Sequence, residues 1–251
     1  MLYPDVPAID AATLKVQWQQ LHAGQGVRPS PPEPLVEGWV SYHSGDFEQA
    51  VGIALQHGSL GLALANQATA IYANYLEHRE SVRLALFRYV AERAAVQTAA
   101  EPDNCQALYW QAYALGRYAE GISVARALAQ GLGSKVKHAL ERVIALQPSH
   151  ADAHISLAAF HAEVIDKVGP LVARMTYGAC AETALKLFER GLELHPDSAS
   201  GLMEYARGLV ALYGDSCMSE ATRLYQKAAA LKPVDARERL EVELARSGLS
   251  D

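Results

Sequence analysis

Cysteine is scarce in this chain of 251 residues: there are three, Cys105, Cys180 and Cys217. They are odd in number, far apart and form no CxxC pair, which excludes a zinc knuckle, a redox dithiol and a disulfide framework. The expected state is three small, half-buried thiols in a reducing compartment. Phenylalanine and methionine are also rare, at four each, so tyrosine carries the aromatic content with twelve copies. No run of lysine or arginine is long enough to track a phosphate backbone, and the formal net charge of −6 excludes nucleic acid as the expected partner. The acidic excess is spread out and implies solubility more than a substrate. Long apolar runs are missing too. The longest weakly polar stretch, residues 58–73, is interrupted by Asn66 and Gln67 and is too short to span a bilayer. The opening MLYPDVPAIDAATL has no basic region followed by an apolar core. A cytoplasmic location is therefore expected, and a periplasmic one would require a leader already removed. No stretch of alternating β-branched residues supports a sheet. A chain of this length buries roughly 70–75% of its unfolded surface, so folding calls for no cofactor.

What recurs is a phrase: an apolar helix end, a proline, polar residues, then a new helix opening on small residues. It reads AAEPDNCQALYWQAYA, ALQPSHADAHISLAAF, ELHPDSASGLMEYARG and ALKPVDARERLEVELA, around Pro102, Pro148, Pro196 and Pro233. Proline cannot continue a helix, so each one fixes where a helix stops and the next begins. Counting back twelve, eight and five places gives Ala221, Tyr225 and Ala228; Ala184, Phe188 and Gly191; and Val136, Leu140 and Val143. The tenth residue forward is Ala112, Ala158 or Ala206, small enough for two helix backbones to approach. Such units stack into an all-α solenoid of antiparallel helix hairpins, an architecture whose usual work is binding. Residues 1–33 stand apart. A short helix is expected from Asp10 to His22, with Leu14, Val16, Trp18 and Leu21 as its larger apolar residues, followed by AGQGVRPSPPEP as a linker or extended arm. Residues 34–251 read as one helical-repeat domain.

The small-large-small pattern resembles the tetratricopeptide repeat from about Leu35 to the end of the chain. EGWVSYHSGDFEQAV adds Gly38, Tyr42, Gly45, Asp46, Phe47 and Ala50, similar to that family's GxxxYxxxGDYxxAI turn. There Gly45 would end one helix and Asp46 cap the next. The proline intervals of 46, 48 and 37 exceed the family's spacing of about 34. The excess lies in EGISVARALAQGLGS and EVIDKVGPLVARMTYGACAE, expected to be lengthened helices with an elbow that narrow the groove toward a pocket. Over residues 100–242 this irregular spacing resembles two related groups: the tetratricopeptide T-component beside certain bacterial TRAP transporters, and the regulators of microtubule dynamics. The first resemblance implies a transport accessory, assembled as a small oligomer around a hydrophobic small molecule in an apolar tunnel.

Catalytic patterns are absent: there is no GxSxG, HExxH, P-loop or GxGxxG. GLGS at residues 131–134 has too few glycines to cradle phosphate and reads as a turn with Ser134 capping a helix. His150, His154 and His161 share a helical stripe that could place two imidazoles on a metal. His154 and His161 occupy positions that face a neighbouring helix, so satisfied core histidines are the preferred reading. Glu163 and Asp166 read as solvated carboxylates. No catalytic, cofactor or metal site is expected.

The groove offers more. In a tetratricopeptide stack the first helix of each hairpin lines the concave side, and here that maps to Trp39 and Tyr42, Tyr109 and Tyr113, Ile155 and Ala159, and Met203, Arg207 and Val210, with Arg117 one turn past Tyr113. Aromatic anchors with arginine suit a hot spot for a protein or peptide partner, and Arg117 and Arg207 would orient an acidic or C-terminal carboxylate. An apolar groove with few polar groups would equally hold a hydrophobic small molecule. VGPLVARMTYGAC adds Leu171, Val172, Met175 and Tyr177 beside Arg174; it is expected to line that cavity or form an oligomer contact, and to be packing in preference to a membrane anchor.

Overall fold

Helix starts follow the prolines. In a computed structural model, which describes residues 6–26 and 28–249, the residue two places after each proline caps the next helix. Asn104, His150, Ser198 and Asp235 accept the backbone N–H groups of Ala107, Ala153, Gly201 and Glu238 at 3.0, 3.2, 3.0 and 2.8 Å. Each cap satisfies one of the amide donors that the first helical turn leaves without a partner. Asp10 does the same for Thr13 at 2.7 Å, and Asp46 for Gln49 at 3.0 Å. Gly45 precedes Asp46 with φ of 89°, a left-handed turn that a side chain would strain.

The described residues form fourteen α-helices and no strand. In chain order they are α1 (Ala11–Leu21), α2 (Val36–His43), α3 (Phe47–Gln56), α4 (Leu62–Tyr75), α5 (Glu80–Ala100), α6 (Cys105–Glu120), α7 (Val124–Ala129), α8 (Leu132–Leu146), α9 (Ala151–Val168), α10 (Pro170–Tyr177), α11 (Ala181–Leu194), α12 (Ala199–Tyr213), α13 (Met218–Ala230) and α14 (Ala236–Ser247). None of them is long and apolar enough to cross a membrane. An inner row, α2, α4, α6, α9, α12 and α14, packs helix to helix, and α3, α5, α8, α11 and α13 back it on the outside. The repeat positions seat this packing: Ala112, Ala158 and Ala206 are buried, as are Val136, Leu140, Val143, Ala184, Phe188, Ala221 and Ala228. Gly191 admits Ile155, since a Cβ there would lie 2.6 Å from the Ile155 Cδ1.

Two features go beyond an open solenoid. The last helix, α14, touches α2 and α4, so the inner row returns on its own beginning. The His43 imidazole Nδ1 lies 2.7 Å from the Asp235 carboxylate, a buried pair 192 residues apart in sequence. The N-terminal arm also packs inward instead of spacing the helix away. The short turn at residues 23–25 lies against α9, and Gln25 and Arg28 are buried. The Arg28 guanidinium sits 4.9 Å from the Trp39 ring and 5.4 Å from Trp18, and donates to Gln25 and Gln67 at 2.6 and 3.2 Å. Burial pulls its pKa down to about 9.

Both long proline intervals are filled by an extra short helix, α7 in the first and α10 in the second. The expected cap at Ser134 is corrected: α8 begins at Leu132 and is preceded by Gly131 with φ of 63°, which places Ser134 inside the first turn.

Candidate binding cavity

A cavity of about 200 Å³ lies between α6, α7, α8 and α9. Its walls are apolar, from Leu132, Val136, Leu140, Phe160 and Val164, and small residues, Ala112, Gly116, Ala119 and Ala159, leave the space open. The two insertions supply the rest: Ile122, Val124, Ala127 and Leu128 on one side, Lys167, Val168 and Tyr177 on the other. The narrowing expected of those segments is thus present as a pocket.

The rim is charged. Arg117 donates to Glu204 of α12 and to Glu120, and its guanidinium lies 5.5 Å from the Tyr113 ring. Burial opposes ionisation of Glu204, but the Arg117 and Arg207 guanidiniums hold its pKa below the ordinary value. Glu163 goes the other way: burial and the neighbouring Glu120 raise it to about 7, against the partial compensation of Lys167 3.9 Å away. The Glu163 side chain is nonetheless 44% exposed, so the solvated carboxylate expected at position 163 stands at the rim of the cavity.

The eight residues expected to line a groove separate into three sets. Tyr113 and Arg117 line the cavity together. Arg207 is joined to them through Glu204 at 3.4 Å and donates to the Tyr225 hydroxyl at 3.1 Å, with its side chain half exposed. Trp39, Tyr42, Tyr109, Ile155 and Met203 are all buried. Trp39 lies beneath Arg28, and the Tyr42 hydroxyl accepts from Gln67 at 2.9 Å. The Tyr109 ring packs 4.8 Å from His150, and Met203 belongs to the C-terminal core with Leu202 and Leu224.

What covers the inner tyrosines is α14. Arg237 enters the centre of the inner row, paired with Glu241 at 2.8 Å and Asp152 at 3.5 Å, and its charge is felt at Tyr42, Tyr75, Tyr109 and Tyr113. Neither Gly116, Phe160 nor Glu204 was indicated by the repeat positions. Their only sequence signal was proximity to the two insertions or to Arg117 along the inner row.

The three histidines do not converge. His150 is a buried cap with its pKa pulled down to about 4 by desolvation. His154 Nε2 lies 3.0 Å from the Pro148 carbonyl, and His161 Nδ1 accepts from the Cys180 amide at 3.3 Å. Among the described residues no group of three or more His, Cys, Asp or Glu side chains is arranged to hold a metal ion. The three cysteines are free and half-buried. In the second insertion, Leu171, Val172 and Met175 are exposed, so the expectation that they line the cavity is corrected; of the four apolar residues named there, Tyr177 does line it.

No family model matches the chain, and no curated protein sequence does. A solved structure does: the chain is similar to a thermophilic tetratricopeptide-repeat protein of Thermus thermophilus, with a TM-score of 0.58 at 17% identity. The match covers 85% of this chain and 97% of that one. The fold is a tetratricopeptide-like helical-repeat solenoid.

Proposed function

We propose that this chain is a non-enzymatic helical-repeat scaffold that captures a protein partner by seating an apolar side chain in the cavity between α6 and α9. The supporting observation is the cavity itself, with apolar walls, a charged rim and small residues keeping it open. Size ranks the occupants. A cavity of roughly 150 Å³ holds one benzene ring, so about 200 Å³ suits one aromatic or branched side chain. Sites for larger organic ligands run to about 300–1,000 Å³, which favours a peptide side chain over a lipid-like acid in a tunnel. Arg117 is already engaged by Glu120 and Glu204. The rim therefore suits the amide and cationic groups of a peptide better than the acidic terminus expected from the arginines alone.

Gly116 provides the test. A Cβ there meets no atom within 4 Å, and Gly116 lines the cavity, so a larger side chain at this position takes up its space. Peptides selected from a random library on the unaltered protein should share an aromatic or branched residue. Gly116→Leu should lose them, at least tenfold in affinity, while its melting temperature holds. Equal binding by that variant, or selected peptides without such a residue, would overturn the assignment.

A further inference from the structure

We infer that α7 and α10 form a docking face for an anionic lipid surface, independently of what the cavity holds. These are two short helices of six and eight residues, and they carry Val124, Leu128, Leu171, Val172 and Met175 exposed, Leu171 and Met175 at 72% and 80%. They flank one mouth. Val124 and Leu128 line the cavity from one side and Tyr177, the last residue of α10, from the other. A Cβ on Gly133, in the first turn of α8, would lie 2.8 Å from Tyr177.

Charge says what the face meets. Helices α7 and α10 hold Arg126 and Arg174 and no acid; Lys135, Lys137 and Lys167 lie beside them, as do Glu120, Asp166 and Glu182. The remaining 20 basic and 28 acidic residues leave the rest of the chain at −8. Arg126, Lys135 and Arg174 are exposed, and Lys137 and Lys167 lean on Glu141 and Glu163 of α8 and α9. A cationic apolar face on an acidic body is complementary to an anionic bilayer. Short amphipathic helices of this kind lie in the interfacial plane with aliphatic side chains among the acyl chains and arginines at headgroup depth. A second copy of the chain is disfavoured by the same pattern, because a two-fold contact sets each face against itself and like charges meet.

Flotation of the full chain with phosphatidylcholine vesicles, with and without phosphatidylglycerol, tests this. The chain should float with the phosphatidylglycerol vesicles at low salt, stay behind with phosphatidylcholine alone, and release as salt rises. Arg126→Glu with Arg174→Glu should reduce partitioning by roughly 30-fold or more. Leu171→Asp with Met175→Asp should abolish it, with helical content and melting temperature unchanged because both side chains are exposed. Val96→Asp, at an exposed valine on α5 far from the insertions in sequence, should float normally, as should Gly116→Leu. The inference is overturned by failure to float with anionic vesicles, by full flotation of the Leu171/Met175 variant, or by a stable dimer that the same variant dissolves.

Discussion

At 0% exposure the His150 ring does two things: it caps α9 through Ala153 and packs on Tyr109. Desolvation makes the folded state reject a proton there until the pH nears 4, whereas the unfolded chain takes one up near the ordinary value of about 6.5. The stability it contributes is therefore complete above pH 6.5 and lost as the pH falls toward 4, on the order of 3 kcal/mol over the window. Glu163 and Glu238, each raised to about 7 chiefly by burial, act with the opposite sign: they favour folding at low pH and lose that contribution as the pH rises from 4.5 through 7. His150→Asn keeps a cap and removes the base. Denaturation midpoints of that variant should rise more between pH 7 and 5 than those of the unaltered protein, in which protonation of the unfolded His150 offsets the gain from the two glutamates. Arg237 supplies a second residue-scale case. Asp152 and Glu241 are buried beside it at 8% and 3% side-chain exposure. Removing a buried ion-pair partner strands the other charge, so Arg237→Met should cost about 3–5 kcal/mol in urea denaturation. Glu241→Gln in that background should recover part of the loss.

At the scale of elements, the helices were legible and their environment was less so. The proline phrase placed the starts of α6, α9, α12 and α14, because a proline and a capping side chain two places later act within one turn. The tenth-residue alanines marked the packing seam for the same local reason. The cavity was partly legible: two insertions with glycines beside apolar residues pointed to a narrowed groove, and Tyr113 and Arg117 do line it. Register places Trp39, Tyr42 and Tyr109 on the groove side because it gives only the inward face of a helix. What then covers that face, Arg28 from the arm and Arg237 from α14, is decided by contacts distant in sequence that no period encodes. Helix α6 also carries a glycine mid-helix at position 116, where backbone freedom is lost without a packing gain. Gly116→Ala should therefore stabilise the protein by about 0.5–1 kcal/mol, read as a raised melting temperature, since its Cβ meets open space. A loss of stability would mean that the added methyl meets the cavity wall in solution.

At the scale of the whole molecule, α14 changes what kind of solenoid this is. In a linear helical array each repeat contacts its neighbours alone, so deleting the last helix disturbs only the one before it. Here α14 packs on α12 and α13 and also on α2 and α4, and the His43–Asp235 pair joins the first inner helix to the cap of the last. The inner row is thereby coupled end to end. Truncation after Pro233 removes Asp235, Arg237, Glu241 and Leu240 at once. It leaves His43, Asp152 and the inner tyrosines facing an opened centre. Hydrogen exchange should then accelerate in α2 and α4, distant in sequence, as well as in α12 and α13, with α5 and α8 on the outer row much less affected. Acceleration confined to α12 and α13 would show an array that merely ends at α14, with its N-terminal helices indifferent to it. His43→Gln in the full chain refines the comparison, because it cuts the closing pair and leaves α14 in place: α2 and α4 should loosen while α12 and α13 keep their protection.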